Sequence, residues 1–503
     1  MGFLSHALAR ALSGAGPGAE MRPIVRTTLL LSPVWTVFAL TVLVQSIPGE
    51  LIPRLSLGLI AGVLASAPFQ VFGSRIASDV RHLGALSPLL GTLILMSLLY
   101  PPSVYLVGWC LALSLRTQLS PEELRLAGLV GASYTLSCMV EASLEEDEWR
   151  PVAQVVVAWS VFLAASILIG WIVRDTLLAV ELASLPTLSV LAVSLALNVR
   201  GRAVPPREPS LGYVIGSVIV AVAALLDLLI LMISSVAYYL AVFFDKLLIW
   251  SEYGFPYPPL DVPSLLGMLP LMAGTFASGC FWASVGDDLS RAYEAGRDEF
   301  RKIRRRVRSE FRRGVGLTLL LSGAILIELT LAVGPHAGWM GYISGPLGAS
   351  LIALAVWGLR TRVGLEVAPP LAGTAALSLP AWGWEVSRVS ADLMLLYSLG
   401  SVPGALVVYI YSQLAAFRRE EEATAALFLV PLLELLVARW WGVDRVAVGY
   451  LLGSGASAAV HLLTAVRMWG NLREELYRVL SYSSHLSYVV EVPRYGGEKP
   501  WSK

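Results

Sequence analysis

The feature that most constrains this chain is a train of apolar runs, each about the length of one bilayer crossing, between residues 27 and 466. A helix needs roughly 20 apolar residues to cross ~30 Å of hydrocarbon, where only helices and closed barrels satisfy their own backbone polar groups. Candidate spans in the first part of the chain are 27–47, 55–73, 86–115, 126–143, 152–173 and 176–198. The second part reads 211–250, 264–286, 315–334, 341–359, 366–383, 391–413, 423–441 and 446–466. Charged residues make up only 15% of the 503, against about 25% in soluble domains, so too little polar surface exists for a water-soluble fold. The class is an all-α, polytopic membrane protein.

Two runs are ambiguous. The stretch 86–115 contains Pro101-Pro102 and reads as one kinked span or two short ones. A single helix over 211–250 would be about 60 Å long at 1.5 Å per residue, so this stretch must be broken, tilted or partly interfacial. With each counted as one crossing and the N-terminus placed in the cytoplasm, 29 of the 37 basic residues fall on the cytoplasmic side. That bias fits the positive-inside rule and gives about fourteen crossings with both termini cytoplasmic, in the cell membrane. The polar segment 200–210 separates an N-terminal half, 1–199, from a C-terminal half, 211–466, with a cytoplasmic tail over 467–503.

The densest charge lies in Asp287–Arg313, where Leu289, Tyr293, Gly296, Phe300, Ile303, Val307 and Phe311 recur at helical spacing. The opposite face carries nine arginines and Lys302. Such a segment is either a solvated extension joining two spans or a surface helix whose arginines reach anionic lipid headgroups. No stacking aromatics interleave with the charge, so it does not read as a nucleic-acid site. Gly-Pro and Pro-Pro pairs at Gly345-Pro346, Pro369-Pro370 and Pro403-Gly404 are expected to interrupt their spans and allow movable packing.

Catalytic signatures are missing. There is no phosphate-binding loop, the five histidines form no ligand pair, and Cys110, Cys138 and Cys280 share no metal spacing. The outer loops are too short for a glycosyltransferase domain. The expectation is a conduit rather than an enzyme, with no metal and no cofactor.

What the apolar runs do carry is a few ionisable groups at depth: Asp227, the adjacent Asp245 and Lys246, Glu328, Glu434 and His461. Glu141 and Glu181 sit nearer span ends. Each costs about 2.5–3.5 kcal/mol or more at the bilayer centre unless paired or hydrated, so each is expected to face the bundle interior. They line a hydrated path or serve as interhelical glue. Adjacent residues do not face one another on a helix, so Asp245 and Lys246 are expected to serve different partners.

The segment from Tyr238 reads AYYLAVFFDKLLIW, placing Tyr238, Asp245-Lys246 and Trp250 in an aromatic frame. It resembles the signature of the PelG family, Pel-type exopolysaccharide transporters of the MOP flippase superfamily. Pro270, Asp288 and Tyr293 resemble the family's following span, and Ser74-Arg75 with Ser78-Asp79 resembles its motif after the second span. Gly449-Tyr450 and the last span are similar in layout. The chain departs from the pattern at Tyr239 and Gly286, and 341–383 reads as an inserted helical hairpin. The resemblance implies two six-helix halves around a central cavity that opens alternately to either side. It also implies a polysaccharide or lipid-linked glycan substrate, with a cytoplasmic glycosyltransferase and envelope synthase subunits as partners. Tyr238, Asp245, Lys246 and Trp250 would line or gate the path, with Asp227, Glu328 and Glu434 behind them. A cation exporter of the same superfamily and a non-transporting scaffold of a glycan synthase are the alternatives.

Overall fold

The structure, a computed structural model, describes residues 51–83, 87–115, 119–143, 149–173, 176–200, 211–254, 257–292, 296–359 and 387–476. All regular structure among them is helical. The candidate spans at 27–47 and 366–383, and most of the tail, lie outside the described residues.

Five helices lead: α1 (Leu51–Leu83), α2 (Ser87–Leu115), α3 (Pro121–Ala142), α4 (Trp149–Val173) and α5 (Thr176–Arg200). Then come α6 (Leu211–Asp227), α7 (Leu229–Tyr253), α8 (Pro258–Gly267), α9 (Leu271–Ala292) and α10 (Arg297–Val333). The chain continues with α11 (Trp339–Leu359), α12 (Arg388–Ala416), α13 (Glu420–Leu427), α14 (Leu429–Trp441) and α15 (Val446–Gly470). Among the described residues, eleven helices are long and apolar enough to cross a membrane. The predicted span 126–143 falls in α3, which is not one of them, because Glu122, Glu123 and Arg125 lower its hydropathy. α3 packs against α1 and α5 and turns many small polar side chains inward, so it needs no fully apolar surface.

Local chemistry sets the boundaries. Ser120 opens α3 with a capping box: its hydroxyl accepts from the Glu123 amide at 3.2 Å, and Glu123 accepts from the Ser120 amide at 2.7 Å. α7 ends at Gly254 (φ 78°) and α14 at Gly442 (φ 91°), both in backbone that L-residues avoid. The overlong stretch 211–250 is broken at Leu228, between α6 and α7. The stretch 86–115 is one helix, continuous through Pro101-Pro102, with Leu98, Tyr105, Leu106 and Trp109 on its exposed side. The pairs Gly345-Pro346 and Pro403-Gly404 do not interrupt their spans: α11 and α12 run straight through them. Pro369-Pro370 lies outside the described residues.

Phe72, Met139, Trp159 and Phe162 centre the core of the first half. Gln154 and Asn198 are buried there and pair through mutual amide bonds at 3.0 and 2.9 Å. Phe281, Phe311, Tyr409 and Trp469 centre a core in the second half. The basic segment belongs to this core. α10 is 37 residues long, about 55 Å, and its basic first part continues directly into an apolar span. Ile303, Val307 and Phe311 are buried against α9, α12 and α15, so the apolar face is covered by protein rather than lipid. The surface-helix reading is thereby corrected to the extension reading. Two arginines of this extension close the end of α15. Arg308 donates to the carbonyls of Trp469 (3.0 Å) and Gly470 (3.3 Å), and Arg304 also donates to Gly470.

Candidate functional site

α7 packs against α1 and α2 on one side and against α13 and α14 on the other. Its beginning is bonded to the first half: Ser235 donates to the Ala67 carbonyl (3.0 Å) and Tyr239 to the Gln70 side chain (2.9 Å). Its end is bonded to the second half, and there the buried charge gathers.

Asp245 and Lys246 are 0% and 1% exposed, and Lys246 Nζ lies 2.6 Å from Asp245 Oδ2. They do pair, contrary to the expectation from helical spacing. The lysine stem is long enough to fold its ammonium back over the neighbouring carboxylate, which a short side chain could not do. Lys246 also donates to Ser264 of α8 and sits 5.4 Å above the Tyr397 ring centroid of α12. One turn on, Trp250 Nε1 donates to both oxygens of Asp261, at 2.9 and 2.8 Å, and Asp261 also accepts from the Tyr257 amide at 3.0 Å. Trp250 is therefore a buried post for Asp261.

Glu434 of α14 closes the cluster. It is 0% exposed and within electrostatic reach of Asp245 and Lys246. Gly449 lets α15 approach the Glu434 backbone, a contact any side chain there would block. Neither Glu434 oxygen has a hydrogen-bond partner among the described residues, and the Tyr397 hydroxyl lies within hydrogen-bonding reach of Asp245. Three carboxyl groups and one ammonium thus share a low-dielectric interior. Fully ionised they would leave two negative charges uncompensated, so the cluster is chemically suited to take up a proton or a cationic group.

One turn from Asp245 and Glu434, towards the start of α7, a small open pocket is lined by α7, α9, α12, α13, α14 and α15. Tyr238, Ala241, Val242, Val430, Tyr450 and Ser454 are among its lining residues, and Tyr238 stacks on Tyr411 with ring centroids 5.5 Å apart. The lining is almost wholly apolar.

The structure brings together Tyr238, Asp245, Lys246, Trp250 and Glu434, and leaves two candidates elsewhere. Asp227 ends α6 and pairs with Arg418 at 3.2 Å. Glu328 is half-buried on α10. His461 is fully buried on α15, its Nδ1 2.9 Å from the Ser457 carbonyl. Glu181 pairs with Arg125 at 2.8 Å. Asp261, Ser264 and Tyr397 belong to the cluster without having been singled out from sequence. The available signal was Asp261 between two prolines, Pro259 and Pro263, in an otherwise apolar stretch. Among the described residues, no three His, Cys, Asp or Glu side chains gather as a metal site.

No family model and no curated protein sequence matches the chain. Among solved structures, the eukaryotic MATE transporter AtDTX14 matches with a TM-score of 0.50 at 14% identity, covering 93% of this chain and 99% of that one. A MATE protein in complex with MaD5 matches at 0.48 and 15% identity, covering 91% and 98%. A MOP superfamily transporter from Pyrococcus furiosus matches at 0.44 and 13%, covering 92% and 98%. The fold is that of MATE transporters.

Proposed function

We propose that this chain is a membrane transporter whose two helical halves open a shared site alternately to either side. The observation that carries this reading is the buried cluster of Asp245, Lys246 and Glu434 beneath a tyrosine-lined pocket, in a fold shared with MATE transporters. A charged group with unpartnered oxygens at this depth costs free energy that packing alone gives no reason to retain. Retention is explained if the oxygens receive a proton or a cationic group during the cycle.

For the substrate, the resemblance around Tyr238–Trp250 supports a polysaccharide or lipid-linked glycan, exported across the cell membrane with a cytoplasmic glycosyltransferase as partner. Aromatic faces such as Tyr238 and Tyr450 suit the C–H surfaces of pyranose rings, and Ser454 supplies a hydroxyl. One observation favours a second reading, a small-molecule cation exporter: the pocket walls are mostly apolar and two buried acids, Asp245 and Glu434, lie one turn away.

The deciding experiment uses cells lacking the gene, complemented with full-length protein or with Glu434→Gln. Extracellular polysaccharide that disappears on deletion and stays low with Glu434→Gln supports the glycan reading. Dye efflux that follows the same pattern, with polysaccharide unchanged, supports the cation exporter. Full function of Glu434→Gln and Asp245→Asn at normal membrane levels would overturn the transport site and leave the scaffold reading.

A further inference from the structure

The turn between α12 and α13 carries an arginine where the backbone calls for glycine. α12 ends in a Schellman cap: the Arg419 amide donates to the Leu414 carbonyl at 2.9 Å and the Arg418 amide to the Ala415 carbonyl at 3.3 Å. The first residue past the cap adopts the left-handed conformation in this motif, and here it is Arg418, with φ 56°. Among the described non-glycine residues it alone has a positive φ. Glycine fits that position without steric cost, whereas an arginine is held there against a strained backbone.

The side chains account for it. Arg419 is clamped within the second half, with Nη1 2.6 Å from Glu422 Oε1 and Nε 3.2 Å from Glu475 Oε2, and a further bond from Nη2 to Glu475. The left-handed turn then throws Arg418 the other way, where its guanidinium donates to Asp227 at 3.2 Å. Asp227 ends α6, which follows the 200–210 segment in sequence but packs on α2 within the core of the first half, and it directly precedes the break at Leu228. The pair is partly shielded, with side chains 12% (Arg418) and 32% (Asp227) exposed. It lies at the same end of the bundle as the arginine extension of α10, because the end of α12 packs beside Phe311 and Trp469 there. The other ion pairs described above stay within one half or one helix.

We propose that Asp227 and Arg418 form a latch that holds the two halves together at the arginine-rich end and opens once in each transport cycle. This rests on the alternating-access reading. Arg418 is a positioning residue, since it lies outside the pocket and touches neither the buried cluster nor a substrate. The latch is built to release: one ion pair at 3.2 Å, partly solvated, is worth little enough to break yet enough to bias two states. The strain at Arg418 is released with it, because the turn need no longer aim the guanidinium.

The test uses full-length protein in lipid nanodiscs, with Cys110, Cys138 and Cys280 replaced by alanine. Spin labels go at Arg200→Cys, at the end of α5, and at Asp298→Cys, at the start of α10, and their separation is read by pulsed electron resonance. Arg418→Gly keeps the turn, because glycine suits it, and removes only the guanidinium. The expected result is a rise of about fivefold in the ratio of long to short distances, matching the lower range of coupling between sites. The charge swap Asp227→Arg with Arg418→Asp restores the original ratio. Two distance populations that ignore Arg418→Gly would overturn the latch and leave alternating access intact. A single population unchanged in every variant would overturn both.

Discussion

Replacing Lys246 by methionine is the sharpest test of how the buried cluster is held. Methionine keeps most of the apolar stem and deletes the ammonium, so packing changes little. The charge balance changes greatly. Lys246 is 1% exposed, 2.6 Å from Asp245, bonded to Ser264 and 5.4 Å from the Tyr397 ring centroid, so its removal strands a carboxylate that is 0% exposed. Breaking a buried pair by removing one partner costs about 3–5 kcal/mol, most of it the cost of the charge left behind. Lys246→Met is therefore expected to lower stability by about 3–5 kcal/mol. Asp245→Asn combined with Lys246→Met removes the stranded charge and is expected to recover about 2 kcal/mol relative to the sum of the single changes. Unfolding of the purified protein in mixed micelles, titrated with a denaturing detergent and followed by tryptophan fluorescence, gives these differences. A Lys246→Met protein within about 0.5 kcal/mol of the parent would refute the reasoning, because surface substitutions fall in that range.

The same titration checks three further outcomes. Trp250→Phe removes the donor to both Asp261 oxygens and is expected to cost about 1.5–3 kcal/mol, the range for hydrogen bonds to a charged group. Glu434→Gln deletes a buried charge with two unpartnered oxygens, so stability should rise by about 1–3 kcal/mol even as transport falls, and a loss of stability would count against a functional role. Gly274→Val places a side chain where a Cβ would overlap the Ala405 carbonyl oxygen, so α9 and α12 must part. It should cost about 3 kcal/mol and broaden the elution profile, and a sharp native profile with unchanged stability would show the two helices to be less closely packed.

Hydropathy made the helical class and most of the spans legible, because lipid leaves a chain few other solutions. It marked 126–143 as well, where α3 runs from Pro121 to Ala142 and packs against α1 and α5. The sequence misjudged Pro346 and Pro403, which read as breaks but sit inside continuous helices. Intramembrane charge pointed correctly to Asp245, Lys246 and Glu434, since burying a charge is too costly to be incidental. The same rule could not separate Asp227, because Arg418 lies 191 residues away and only the tertiary fold makes them neighbours. The basic segment shows the opposite limit. Its apolar periodicity was plain, yet whether lipid or protein covers that face depends on α9, α12 and α15.

α7 carries a mechanical consequence. It is keyed at one end to α1 through Ser235 and Tyr239, and at the other to α8 through Lys246 and Trp250, with Tyr253 donating to Asp444 beyond. Any torque between the halves is borne by the stretch between the keys, Leu240–Asp245, about 9 Å of helix. Ala241 and Val242 of that stretch are also walls of the pocket. An occupant of the pocket therefore grips the one part of the shaft that must twist.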